Sequence, residues 1–171
     1  MNFKYKHLLD LDFSADSRVW VYQSNRLFSI GEALEIEEQL KDFTEQWKSH
    51  GVPVKGTGYL FFGQFLILMA DEQATGVSGC STDSSVRLVK EIEHRFGVNM
   101  FDRTNLAFIV KDKVQLLPMS QLKFAADNGF INADTQYFNN LVQTKEELKN
   151  QWIIPIRESW LSEKIKAFNK A

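Results

Sequence analysis

Phe65-Leu-Ile-Leu-Met-Ala-Asp71, Glu72-Gln-Ala-Thr-Gly-Val-Ser-Gly-Cys80-Ser-Thr-Asp-Ser-Ser85 and Val86-Arg-Leu-Val-Lys-Glu-Ile-Glu-His-Arg-Phe-Gly97 follow one another without a break. The first segment is a run of apolar strand formers. The second is a polar loop of small residues that holds the only cysteine. The third repeats apolar residues at helical spacing (Val86, Val89, Ile92, Phe96) and stops at Gly97, as a helix with a buried stripe does. A strand, a polar loop and a helix in that order are the centre from which the rest of the chain is read.

Upstream, Lys55-Gly-Thr-Gly-Tyr-Leu-Phe-Phe62 reads as a second strand, joined to the first by Gly63-Gln64. Gly at the first central position suits a two-residue II′ turn. That turn makes Phe62 face Phe65, with Leu60, Phe62, Phe65 and Ile67 on one face and Tyr59, Phe61, Leu66 and Leu68 on the other. A ribbon apolar on both faces must be covered on both. Further upstream, Ser29-Ile-Gly-Glu32 matches a capping box, in which hydroxyl and carboxylate each satisfy an orphan backbone donor. The helix it opens carries Ala33, Ile36, Leu40, Phe43 and Trp47, and His50-Gly51 ends it. Glu32, Glu35, Glu37 and Glu38 crowd its first turns, where the helix dipole favours negative charge, so they do not read as a metal site. Arg18-Val-Trp-Val-Tyr-Gln-Ser24 alternates as a strand does, after an irregular or short helical lead-in.

Downstream, residues 106–110 and 114–117 read as strands around Lys111-Asp-Lys113, the second stopped by Pro118. From Asn132 the pattern turns helical, through Tyr137/Phe138, Leu141/Val142 and Leu148. Pro155 restarts a last helix bearing Trp160, Leu161, Ile165 and Phe168. The order β-α-β-β-α-β predicts an α+β fold with a ferredoxin-like βαββαβ core, an antiparallel sheet in the order 4-1-3-2, followed by an extra strand and two helices. The expected organisation is a single domain over 1–171, with its core at 17–118 and a helical extension at 119–171. Both main helices lie on one face of the sheet, and the C-terminal helices or a second subunit cover the other.

Composition bounds the function. The chain has 171 residues, 44% of them apolar, with fourteen Phe and four Trp, which supports a real core and argues against disorder. A net charge of −2 leaves no broad basic footprint for nucleic acid or an anionic membrane. One cysteine, no apolar leader and no run long enough to span a bilayer point to a cytoplasmic protein. His7, His50 and His94 lack metal-ligand spacing, no CxxC or HExxH occurs, and no cofactor is implied. Lys55-Gly-Thr-Gly58 precedes a strand, not a helix, and neither G-x-x-x-x-G-K-[ST] nor G-x-G-x-x-G is present.

In the 4-1-3-2 order, Arg18, Lys55 and His50 converge on the start of the second main helix. There Gly79, Ser81, Thr82 and Asp83 offer amides and hydroxyls, which with Arg18 and Lys55 predicts a pocket for a small anionic ligand. Plain helix capping by Ser81 or Asp83 is the alternative. A thiol at Cys80 would have a lowered pKa there, which makes a nucleophile or redox sensor with His50 or His94 as base; a packed cysteine is the bland reading. Trp20, Tyr22, Tyr59 and Phe61 read as core packing or as stacking platforms on an open sheet. Asp102-Arg103 reads as an ion pair, or with Arg103 as guard of a pocket. A third role is assembly, with the aromatic second face or the C-terminal helices joining subunits into a homo-oligomer.

Val19-Trp-Val-Tyr-Gln-Ser-Asn-Arg26, Ser78-Gly-Cys-Ser-Thr-Asp-Ser-Ser-Val-Arg87 and Phe101-Asp-Arg103 together resemble a family of uncharacterised bacterial proteins, some of them labelled automatically as "ABC transporter ATPase". The resemblance covers most of 17–118 and implies a small bacterial protein of unknown function. It implies no activity and no functional residues, and the phosphate loop of an ATPase is missing from this chain.

Overall fold

The computed structural model describes residues 2–71 and 79–168, with backbone alone at 79–81 and 166–168. In chain order the elements are β1 (Arg18–Gln23), α1 (Ile30–Gln46), β2 (Lys48–Ser49), β3 (Val52–Pro53), β4 (Gly56–Phe61), β5 (Phe65–Ala70) and α2 (Gly79–Phe96). They continue with β6 (Asn105–Val110), β7 (Lys113–Pro118), α3 (Leu122–Asp127), β8 (Gln136–Phe138), α4 (Lys145–Gln151), β9 (Ile153–Pro155) and α5 (Leu161–Phe168). The fold is mixed α+β with antiparallel sheets: β1-β5-β4, β7-β6-β8-β9 and the small β2-β3 hairpin.

The first half of the expected topology is present. β5 lies between β1 and β4, so Arg18 and Gly56 flank Ala70 on either side. The fourth strand is where the ferredoxin-like order breaks. β6 pairs with β7 and β8 in a second sheet rather than with β1. At one end, the outer edge of β1 is met by the approach to α4: Val19 N donates to Gln143 O at 2.8 Å and Lys145 N to Ser17 O at 2.9 Å. An edge already holding those bonds has no ladder to offer β6 there.

The two sheets pack face to face and each carries helices on its outer side. Val19, Val21, Phe61, Phe65, Ile67 and Met69 of the first sheet meet Ala107, Phe138 and Trp152 in one core. Tyr5, Leu9 and Phe13 of the lead-in close it. On the opposite face of the first sheet, Tyr22, Leu66, Leu68 and Ala70 pack under Ile36 and Leu40 of α1 and Val89 and Ile92 of α2. On the outer face of the second sheet, Leu106, Phe108 and Tyr137 pack under Leu122 and Ala125 of α3 and Leu161 and Ile165 of α5. Helix, sheet, sheet, helix is the order of layers. The second apolar face is thus covered by the chain itself.

Three local readings change. His50 and Gly51 have φ of 50° and 82°, the left-handed pair of a tight hairpin turn between β2 and β3, and α1 has already ended at Gln46. In the next hairpin the left-handed pair is Phe62-Gly63 (φ 56° and 62°), one residue earlier than expected, and Phe61 faces Phe65. A one-residue slip turns side chains to the other face, so Tyr59 and Phe61 join Phe65 and Ile67 in the sheet–sheet core, while Leu60 sides with the helices. Residues 136–138 form strand β8, not helix: Tyr137 is buried under α3 and α5 and Phe138 between the sheets. Neighbouring residues reach opposite faces only in an extended chain.

Candidate functional site

Two arginines tie α1 to α2 at one end. Arg26 places Nη1 and Nη2 on the Glu32 carboxylate at 2.9 and 2.8 Å, and Nη2 also donates to Phe96 O, in the last turn of α2, at 2.6 Å. A cation on the final carbonyls of a helix also opposes its dipole. Arg95 adds a pair with Glu35 at 2.6 Å. The same Glu32 closes the expected capping box with Ser29. Its hydrogen bonds, first to Arg26 and then to the Ser29 backbone, hold its carboxyl down at about 2. A folded-state pKa below the unfolded one gives stability that is complete above the usual glutamate range and is lost as pH falls toward 2. Urea midpoints of the wild type are therefore expected to fall between pH 5 and 2 more steeply than those of Glu32→Gln.

The α1–α2 pair is antiparallel, and beyond those ties it opens into a cleft of about 850 Å³. The α1 wall is Gln39, Asp42, Phe43, Gln46 and Trp47, with Lys48 just beyond it. The α2 wall runs from Ser84 through Arg87, Lys90 and Glu91 to Arg95. Trp47 packs at a tilt against Phe43 and Trp20, with ring centroids 4.9 and 5.8 Å away. Trp47 is 2% exposed, and its Nε1–H has no hydrogen-bond partner among the described residues. A buried donor left unpaired costs about 1–3 kcal/mol, so this one is a notable feature of the cleft. Among the described residues Lys48, Arg87 and Lys90 form no ion pair, while Arg95 is neutralised by Glu35. Against Asp42 and Glu91 they leave an excess of one positive charge.

The residues expected to form a site fall in several places. Lys55 is committed to structure: its Nζ lies 3.4 Å from Asp71 Oδ2, donates to the Asp12 carbonyl and sits 4.8 Å over the Phe13 ring. Asp71 also receives Ser14 N and Oγ at 3.4 Å each, so this lysine and carboxylate strap the lead-in onto the end of β5. Arg18 stacks 5.0 Å over Trp20 and lines a separate hollow of about 270 Å³ beside the edge of β1, with Arg103 and Gln143. Neither lines the α1–α2 cleft.

Residues 79–83 are not a loop but the first turns of α2, and Thr82 O accepts Ser85 Oγ at 2.7 Å. The side chains of Cys80 and Ser81 lie outside the described residues, as does the preceding segment 72–78; Asp83 is exposed. His94 shares the continuous helix with Cys80, 14 residues on, which puts them about 21 Å apart along the axis. It cannot serve that thiol as a base. Trp20 and Tyr22 lie under the helices and Tyr59 and Phe61 between the sheets, so none is a platform on an open sheet. Asp102 is not paired to Arg103; it accepts Thr104 Oγ1 at 2.6 Å and Thr104 N at 2.8 Å, which lower its pKa.

Sequence reading missed the cleft because its walls are the polar faces of two helices, which look like ordinary solvated surface. The available signal was Trp47, an aromatic at the end of a helix whose next residue is Lys48. Among the described residues no helix is long and apolar enough to cross a membrane. No group of three or more His, Cys, Asp or Glu among them could hold a metal ion. No family model, curated protein or solved structure matches the chain.

Proposed function

We propose that this protein is a small binding module whose ligand, an anion carrying an apolar part, occupies the cleft between α1 and α2. The observation that carries this reading is the meeting in one cleft of the aromatic side chains Phe43 and Trp47 with three cations that form no ion pair among the described residues, Lys48, Arg87 and Lys90, set against only two carboxylates, Asp42 and Glu91. Arg87 supplies a planar fork suited to a phosphate or carboxylate, and Lys90 and Lys48 supply point charges. Phe43 and Trp47 take the apolar part. The anion site expected at the start of α2 thus moves along the helix, to the turns from Ser84 onward.

A thermal-shift series with inorganic phosphate, phenyl phosphate and nucleoside monophosphates tests it. At a hundredfold excess over Kd a ligand adds about 2.7 kcal/mol, which raises Tm by roughly 5–10 °C for a chain of this size. Phenyl phosphate is expected to exceed inorganic phosphate. Arg87→Gln with Lys90→Gln is expected to weaken binding at least tenfold, since hydrogen bonds to charged groups contribute about 1.5–3 kcal/mol. No shift with any anion, or equal binding by the double variant, would refute the reading.

A further inference from the structure

On the far side of the first sheet, a hollow of about 190 Å³ opens where the end of β1, the start of β6 and β8 meet. Its inner wall is built from amides that satisfy one another. Gln23, 7% exposed, donates from Nε2 to Asn105 O at 3.0 Å and accepts Asn140 Nδ2 at 2.8 Å. Asn140 Oδ1 in turn accepts Trp152 Nε1 at 3.0 Å. Such a chain of bonds fixes the wall before anything binds. Leu141 and Trp160, both exposed, stand at the mouth with the exposed Arg103.

Two groups there keep hydrogen-bonding capacity to spare. Arg103 has no acidic partner among the described residues, its one hydrogen bond there running from Nη1 to Asn140 O at 3.4 Å. Tyr137 is 3% exposed, and its hydroxyl accepts Trp160 Nε1 at 3.3 Å while its own proton has no acceptor among the described residues. Burial raises the Tyr137 pKa, so the phenol keeps that proton. Asp102 also lines the hollow and stays ionised through its bonds to Thr104 and Asn105. A dianion would meet that carboxylate, whereas a single negative charge is matched by the Arg103 fork.

We propose that this hollow is a second ligand site, taking a small monocarboxylate with a flat apolar body. The carboxylate lies on Arg103 and the hydrocarbon between Leu141 and Trp160. The volume equals that of about six waters, which limits the occupant to a compact acid. It stands independently of the α1–α2 cleft, with which it shares no lining residue.

The test is titration of the protein with benzoate, followed through the indole N–H resonances of its four tryptophans. The Trp160 signal is expected to shift saturably, and to go on doing so in Arg87→Gln with Lys90→Gln, whatever happens at Trp47 in the other cleft. Arg103→Gln is expected to weaken benzoate at least tenfold and Arg103→Lys to weaken it less, because charge survives but the fork does not. Arg87→Gln with Lys90→Gln is expected to leave it unchanged. Absence of a saturable Trp160 shift, or unchanged affinity in Arg103→Gln, would overturn the site. Equal binding of benzyl alcohol, or tighter binding of inorganic phosphate, would overturn the monocarboxylate assignment.

Discussion

Trp152→Ala is expected to lose about 3–5 kcal/mol of stability, read as a lower urea midpoint at unchanged m-value. Trp152 has 0% of its surface exposed and lies at the centre of the sheet–sheet core. Its ring meets Tyr5 edge-on at 4.8 Å, Phe65 at 5.4 Å and Phe138 at 5.5 Å, and stacks on Phe62 at 5.7 Å. Truncation empties that space, and it strips Asn140 Oδ1 of its indole donor as well. Against a typical total of about 5–15 kcal/mol, the loss is a large share. Trp152→Phe keeps most of the packing and is expected to lose much less. Trp160→Ala, at the surface, should stay within about 1 kcal/mol of wild type. A Trp152→Ala protein as stable as wild type would mean that the two sheets do not depend on this contact.

The second large effect concerns a glycine. Gly56→Ala is expected to destabilise by about 1–3 kcal/mol, because a Cβ there would stand 2.5 Å from Trp47 Cε3. Trp47 is buried and rigid, so it must tilt rather than swing aside. The same tilt disturbs the floor of the α1–α2 cleft, so the variant should also weaken any anion bound there. Gly31→Ala offers the opposite sign: nothing lies within 4 Å of its added Cβ, and the position is helical. It should gain up to about 1 kcal/mol. Paired denaturation curves of the two variants decide the matter, and equal shifts in one direction would contradict this account.

How far the structure could be read from the residues depended on how local the determining physics is. The Ser29/Glu32 capping box spans four residues and is found as written. The apolar character of both faces of 59–68 correctly demanded two covering layers, because a strand turns successive side chains to opposite faces and 59–62 and 65–68 are apolar throughout. Phe62 was misplaced because a bulky residue at positive φ contradicts its own local preference. Packing against Phe3, Phe138 and Trp152, residues distant in sequence, holds it there. His50-Gly51 carried a helix-stop and a hairpin signal at once, and only the pairing of Lys48 with Pro53 separates them. The second sheet was hidden for a similar reason: β8 and β9 have three residues each, too few to show a period. Of the candidate site, Arg18 and Lys55 stand at the starts of the two strands that flank β5. That Lys55 is consumed by Asp71 and Asp12 depends on where the lead-in docks, which no motif announces.

The Tyr5 hydroxyl donates to Leu148 O at 2.6 Å, across 143 positions of sequence. During synthesis the ribosome therefore releases Phe61, Phe65 and Ile67 long before Phe138, Leu148 and Trp152 exist to shield them. For that interval the nascent chain is a sticky hairpin with one greasy side bare, the kind of species that chaperones capture. Its completion must wait for Trp152 and the strand after it to emerge, so slow passage through codons 120–155 would be felt as lost yield before it was felt as lost activity.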